Sequence, residues 1–531
     1  MDTIRSRFLV RLMTASVLLG CLLSALRADS QRWKPDIPRT WDDAALADWA
    51  TPVVGLNVRP THISAREYYA LRTENLRTYP VYYPGREPRG YWEMLQHIGP
   101  EPLIEPEKLA SEADWIAAGQ RVFNELDHFS LRTYDPKFIA HARSREALDA
   151  EGGPMPDGTV FGLRWVPTKS GIALSFPNCG GCHVAVLPDG TPIPGAPAIG
   201  SPRWPTRVFV VTRGFDVRTA TTPPLIAQVQ RANRVVVGAN AFVMGPEPLG
   251  MSLYRAFGVP WNPTDINERL KTVTEAEFAA LNAAFRFGGG VPRWNGSLYY
   301  PAKVPDLIGF KDRKYIDHTA THLHRSIGDL MRYAALISFA DSADFGSYHM
   351  LGPDTRRVSA RLPDEALYAL ALYVYSLKPP LNPNRFDAKA EAGQKIFVRE
   401  GCPRCHTPPL YTSNKVTLAE GFVPPPDAPA TLDILPVSVR TDPGLALRTR
   451  KGTGYYKVPS LKGLWYRGHY LHDGAAASLE EMFDPDRLKE NHVPGGWSLP
   501  GTSTRAIKGH EFGLHLEPRE REQLIAFLRT L

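Results

Sequence analysis

Two short stretches of the chain place a pair of cysteines and a histidine within five residues. They are FPNCGGCHVA, with Cys179, Cys182 and His183, and EGCPRCHTPP, with Cys402, Cys405 and His406. Disulfides within each pair would close very small loops, stabilise little and leave the histidines without a part. A tetrahedral zinc site drawing on both pairs would have to join segments more than two hundred residues apart, again with both histidines unused. A thioredoxin-like dithiol calls for one active copy on a strand-to-helix turn, and this chain has two triplets. Covalent haem uses every residue. On a helical turn, positions three and four apart share a face, so the cysteines form thioethers to the vinyl groups while the adjacent imidazole reaches the iron. C-x-x-C-H is the attachment signature of c-type haem. Two covalently bound haem c groups are therefore expected, on Cys179 with Cys182 and on Cys402 with Cys405, with His183 and His406 as iron ligands.

The elements that must carry these triplets recur as well. AGQRVF, from Ala118 to Phe123, precedes the first triplet and AGQKIF the second. Downstream, KVPDLIGFKDRKYIDHTATHLHRS from Lys303 matches KVPSLKGLWYRGHYLHDGAAASLEE from Lys457 at an offset of 154, pairing Pro305 with Pro459, Arg313 with Arg467 and His318 with His472. The same offset sets LALYVYSL, from Leu370, opposite LIAFLRTL, where Leu524, Phe527, Leu528 and Leu531 follow the spacing of an amphipathic helix. A mainly α fold is expected, with two cytochrome c-like haem domains in tandem, long irregular loops and an N-terminal extension. The boundaries read as a signal peptide at 1–28, the extension at 29–115, a first haem domain at 116–385 and a second at 386–531.

The halves differ in length. Phe397 stands 5 positions before Cys402 but Phe123 stands 56 before Cys179, and the second cysteine precedes its Lys-Val-Pro by 52 positions in one half and 121 in the other. The first domain thus holds two large insertions, which either build a pocket and its access or pack the N-terminal segment.

At 531 residues the chain exceeds the size of one core, and its 49 prolines call for irregular connections between helices. The formal charge of +7 falls to +4 once residues 1–28, with four arginines and one aspartate, are set aside, too mild a surplus to indicate nucleic acid. Arg5, Arg7 and Arg11 precede an uncharged apolar run from Leu12 to Leu26, the pattern of a secretory signal peptide and of a periplasmic or secreted protein. LLGC is a looser match to a lipoprotein cleavage box, in which Cys21 would carry a membrane anchor. Without Cys21, every cysteine of the mature chain lies in the two triplets.

Over residues 116–531 the chain resembles the dihaem superfamily of bacterial cytochrome c peroxidases, the haem enzyme that matures methylamine dehydrogenase, and the haem-containing rubber oxygenases. The carriers are the two C-x-x-C-H motifs, KVPSLKGLWYRGHYLHDG and the tail KGHEFGLHLEPREREQLIAFLRTL; KGHEFG and the long first domain look most like the rubber-oxygenase side. The resemblance implies one haem that stores or relays an electron and another that meets peroxide or oxygen. It also implies a second protein ligand, from near the C-terminus, on the relay iron, and the matching tail offers His510. At the offset of 154 the first half has Arg356, whose guanidinium cannot ligate iron, so the first haem would keep an open face; His349 or Met350 could replace it through a small gap. His318 and Arg356 are the pocket candidates, although His318 and His472, present in both halves, equally suit a structural hydrogen bond. His322 and His324 read as surface or core histidines, and Trp465 as either a buried tryptophan or an aid to electron transfer near the second haem. Relatives hold calcium at the domain interface, but no ligands for it can be placed here.

Two classes of function follow. One is an exported dihaem oxidoreductase whose first haem activates peroxide or dioxygen, for an organic substrate or a redox partner, while the second supplies electrons. The other is an electron carrier with both irons saturated, exchanging with a partner protein or small donor.

Overall fold

The computed structural model describes residues 33–51, 64–127, 154–175, 179–198, 300–340, 360–428, 430–448, 452–499 and 501–531, with isolated residues in 134–145 and pairs at 290–291, 344–345 and 357–358. The expected signal peptide, Cys21, His349, Met350, Arg356 and most of the second insertion lie outside the described residues.

Among the described residues the helices of 12 or more are α1 (Glu112–Glu125), α2 (Ile327–Ala340), α3 (Asp364–Ser376), α4 (Ala388–Arg399) and α5 (Pro518–Arg529). Ser111 starts α1 with a capping box: its hydroxyl accepts from the Asp114 amide at 3.2 Å, and the Asp114 carboxylate accepts from the Ser111 amide at 2.9 Å. The helix buries Trp115, Ala118, Gly119, Val122 and Phe123, one stripe at helical spacing, and packs it on α3. α4 packs on α5 in the same manner.

The two contacts agree in detail. A Cβ at Gly119 would lie 1.9 Å from the Ala369 carbonyl oxygen and 2.8 Å from the Tyr373 Cβ; one at Gly393 would lie 1.9 Å from the Gln523 carbonyl oxygen and 2.9 Å from the Phe527 Cβ. Both pairs of neighbours stand at the offset of 154. Phe123 meets Tyr373 with ring centroids 5.2 Å apart, and Phe397 meets Phe527 at 5.3 Å. An exposed helical glycine changed to alanine would gain about 1 kcal/mol, whereas a methyl group forced against packed backbone costs about 1–3 kcal/mol or more. Gly119→Ala and Gly393→Ala are therefore expected to lower the urea midpoint, and a midpoint raised by either would exclude so close a helix approach.

The repeated Lys-Val-Pro segments face each other through reciprocal bonds. The Lys303 amide donates to the His472 carbonyl at 2.8 Å and the Lys457 amide to the His318 carbonyl at 2.9 Å. The Lys303 ammonium caps the His469 carbonyl, and that of Lys457 reaches the Tyr315 carbonyl at 3.5 Å. Each donor and acceptor has its counterpart 154 residues away, so the segments meet about a local two-fold.

Strands form small sheets that the helical reading did not foresee. β1 (Tyr79–Tyr82), β2 (Thr159–Thr168) and β3 (Gly171–Ser175) make an antiparallel sheet in the order given; β4 (Val184–Val186) and β5 (Pro192–Pro194) form a hairpin; and β6 (Val416–Leu418) lies between β7 (Ile434–Ser438) and β8 (Tyr455–Lys457). Most are three to five residues long, too short to leave a legible alternation. β1 belongs to the N-terminal extension, so the described end of the first insertion packs against that extension. Trp41, Trp49, Tyr68 and Leu103 complete the core of α1, α2 and α3, and the Leu323 amide donates to the Trp49 carbonyl at 2.8 Å. The described part of the extension therefore wraps the first half. No helix among the described residues is long and apolar enough to cross a membrane.

Candidate haem-binding sites

The first triplet folds as a single helical turn, Cys179–Cys182, in which the His183 amide donates to the Cys179 carbonyl at 3.0 Å. The β4–β5 hairpin follows at once, and the Gly195 amide returns to the His183 carbonyl at 2.7 Å. The second triplet occupies a 3-10 turn, Cys402–Arg404, with the His406 amide 2.9 Å from the Cys402 carbonyl. Both backbones bring two cysteines and the next imidazole to one face, as thioether attachment requires. No disulfide joins the four cysteines. Burial pushes the Cys179 thiol up to about 12 and Cys402 to about 11, the reverse of the depressed thiol of a dithiol catalyst.

The motif histidines are held alike. His183 donates Nδ1–H to the Pro305 carbonyl at 3.1 Å; His406 donates Nδ1–H to the Pro459 carbonyl at 3.2 Å and shares it with Tyr411 at 3.3 Å. Pro305 and Pro459 are partners in the repeat. Such a bond fixes the tautomer in which Nε2 carries the lone pair, and metal-ligating histidines are commonly oriented in this way.

His510 stands opposite His406, with ring centroids 6.3 Å apart and planes 55° apart. An iron bound by both imidazoles at about 2 Å, the usual length of a metal–imidazole bond, would separate the centroids by about 6 Å. Among the described residues the buried His510 Nδ1 finds no hydrogen-bond partner. Burial, above all, holds both imidazoles down at about 4, with a smaller lowering from Arg467 at His406 and from His406 and Arg487 at His510, so both are neutral and able to ligate. The residues present thus fit a haem iron between His406 and His510. His510 adopts φ 49°, in the left-handed region, after Gly509 at φ 83°, where a Cβ would fall 2.2 Å from the Thr441 amide nitrogen.

The other histidines are occupied in packing. His318 donates Nε2–H to the Lys303 carbonyl at 2.7 Å. The His472 ring lies 3.3 Å from the Tyr456 hydroxyl and 3.5 Å from that of Thr441. His324 donates to the Arg313 carbonyl at 2.7 Å and accepts from the Tyr375 hydroxyl at 2.6 Å, while buried His322 lies with its ring centroid 4.1 Å from that of Trp49. Both are core histidines. No group of three or more His, Cys, Asp or Glu side chains converges on a metal position among the described residues, and none is assigned to calcium.

A link between the sites was not foreseen. Asp306, next to Pro305, is buried; it accepts from the Tyr466 hydroxyl at 3.0 Å and lies 3.7 Å from Arg467. Arg467 in turn donates to the carbonyl of Ser460 at 2.7 Å, beside Pro459. Hydrogen bonds and one ion pair therefore connect the two motif histidines through residues 305–306 and 459–467. Trp465 packs with Tyr466 against Ala185 and Ile193 of the β4–β5 hairpin, which places it beside the first triplet. The signal available in the sequence was the break in the repeat, where Asp306 has Ser460 as its counterpart.

No family model matches the chain. It is similar to the methylamine utilization protein MauG of Methylorubrum extorquens, 29% identical over 154 residues, which cover 27% of this chain and 35% of that protein. The match spans about a third of the relative's length. Among solved structures, the Kuenenia stuttgartiensis hydrazine synthase pressurised with 20 bar xenon superposes at a TM-score of 0.26 and 15% identity, over 57% of this chain and 87% of that one. A MauG-like protein associated with microbial copper homeostasis gives 0.27 and 13%, over 57% and 88%. Superpositions this poor do not define a common fold.

Proposed function

We propose that the chain is an exported dihaem c-type cytochrome that acts as an oxidoreductase. The first haem, on Cys179, Cys182 and His183, meets peroxide or dioxygen; the second, on Cys402, Cys405, His406 and His510, stores or relays an electron. One observation carries the reading: the two motif histidines are held alike by repeated prolines, and His510 stands across from His406 with ring centroids 6.3 Å apart. The similarity to MauG and the resemblance read from the motifs support it.

Bound haem supplies electron transfer at iron and, where an axial position is open, a place for peroxide or dioxygen. The protein's own part is to orient His183 and His406 through Pro305 and Pro459, to present His510, and to join the sites through Asp306, Tyr466 and Arg467. The tandem division at 116–385 and 386–531, export by residues 1–28 and a redox partner or small electron donor belong to the same proposal. On the rubber-oxygenase side, to which KGHEFG points, the organic substrate would be apolar.

Electron paramagnetic resonance of the oxidised holoprotein, with a cyanide titration, tests this. One high-spin and one low-spin ferric signal are expected, and cyanide should convert the high-spin signal while leaving the other unchanged. Two low-spin signals, neither responding to cyanide or peroxide, would replace the enzyme with an electron carrier.

A further inference from the structure

We infer that Arg487 is the positioning residue that holds His510 against the second haem, an inference that rests on the reading of His510 as an iron ligand. Arg487 lies on the 3-10 turn Pro485–Leu488 and has no exposed surface. Its guanidinium is spent on backbone carbonyls. Nε donates to Met482 at 2.9 Å, Nη1 to Ile507, and Nη2 to Gly509 at 2.8 Å and to His510 at 2.9 Å. The Ile507 amide closes the ring by donating to the Arg487 carbonyl at 2.7 Å. No ion pair to Arg487 is formed among the described residues; its hydrogen bonds go to carbonyls, and the carboxylates of Glu511, Glu481 and Asp484 favour its charge from further off, so burying the guanidinium here is costly.

Most of these bonds hold residues 507–510. Gly509 and His510 are consecutive left-handed residues, and the His510 amide is fixed to the Val439 carbonyl at 2.6 Å. A histidine with its Cβ in this region returns to ordinary backbone geometry unless its surroundings hold it. Arg487 holds the carbonyl side of the segment and Val439 the amide side, and together they set the imidazole 6.3 Å from His406. At the offset of 154 the first half has Tyr333, on helix α2, so the repeat does not supply a second arginine at this position.

A purely structural arginine would change the melting temperature without moving the iron's spin state. The experiment compares Arg487→Met, Arg487→Lys and His510→Ala holoproteins with two attached haems by paramagnetic resonance and optical spectra. Arg487→Met is expected to make the second haem high-spin or mixed, with low spin restored by added imidazole. Arg487→Lys, which reaches fewer carbonyls, should keep low spin but speed displacement of His510 by cyanide about tenfold, the effect of losing a hydrogen bond to a charged group. If Arg487→Met does not fold, the lysine variant decides by its cyanide rate. A His510→Ala protein that turns high-spin while the arginine variants keep the native spin state and rate overturns the role of Arg487 alone. A His510→Ala protein that stays low-spin overturns the ligand reading beneath it.

Discussion

Replacing Cys402 and Cys405 together by alanine is expected to yield a chain with one haem instead of two, and intact-mass measurement after export alongside the haem-attachment machinery will count them. The argument is geometric. Both cysteines lie on one 3-10 turn, His406 follows directly, and Cys402 packs against the core that contains Phe397, Leu464, Phe483 and Phe527. Without thioethers nothing covalent remains at this site, whereas Cys179, Cys182 and His183 sit on a separate turn in a separate core. The first haem's addition should therefore persist. Cys402→Ala alone leaves one thioether and should reduce attachment at that site only. Buried, pushed-up thiols would be poor zinc ligands; a chain recovered with zinc and no haem would nonetheless falsify the entire haem assignment.

Much of the site was legible because attachment chemistry imposes a spacing. Cys179, Cys182 and His183 could be read from five residues, and residues paired by the offset of 154 turn out to make matching contacts, Ala369 and Gln523 against glycines and Pro305 and Pro459 as acceptors from His183 and His406. Other features carry no periodic trace. Arg487 bonds to carbonyls, which every residue possesses, so no partner residue type in the sequence marks its role. Trp41 and Trp49 flank the four-residue helix Asp43–Leu46 and Tyr68 lies on the six-residue helix Ala65–Ala70, elements too short to leave a legible helical spacing. Trp465, four residues past the repeated Leu461, packs with Tyr466 on the first hairpin, a neighbour that no local spacing announces. His318 bonds to Lys303 within its own repeated segment, whereas the bonds from the Lys303 and Lys457 amides exist only once the two segments face each other.

His510→Ala is expected to convert the second haem from low-spin to high-spin and to leave the first haem's spectrum unchanged. Both rings lie where one iron could bind them, and burial keeps both neutral, so no proton has to leave for the bond to form. Alanine removes the imidazole without replacing it, while the clamp of Arg487 on the backbone of residues 507–510 is kept. The space left should therefore admit added imidazole, and low spin should return as it binds. His510→Met offers a finer comparison, because a thioether in the same place can retain low spin while raising the reduction potential. That rise separates an axial ligand from a buried histidine that merely packs beside the haem, since a packing residue exchanged for methionine leaves the iron's ligand set, and with it most of the reduction potential, as it was. An unaltered low-spin signal in His510→Ala would mean that another side chain fills the sixth position of the second haem, and the assignment of His510 as its ligand would fail.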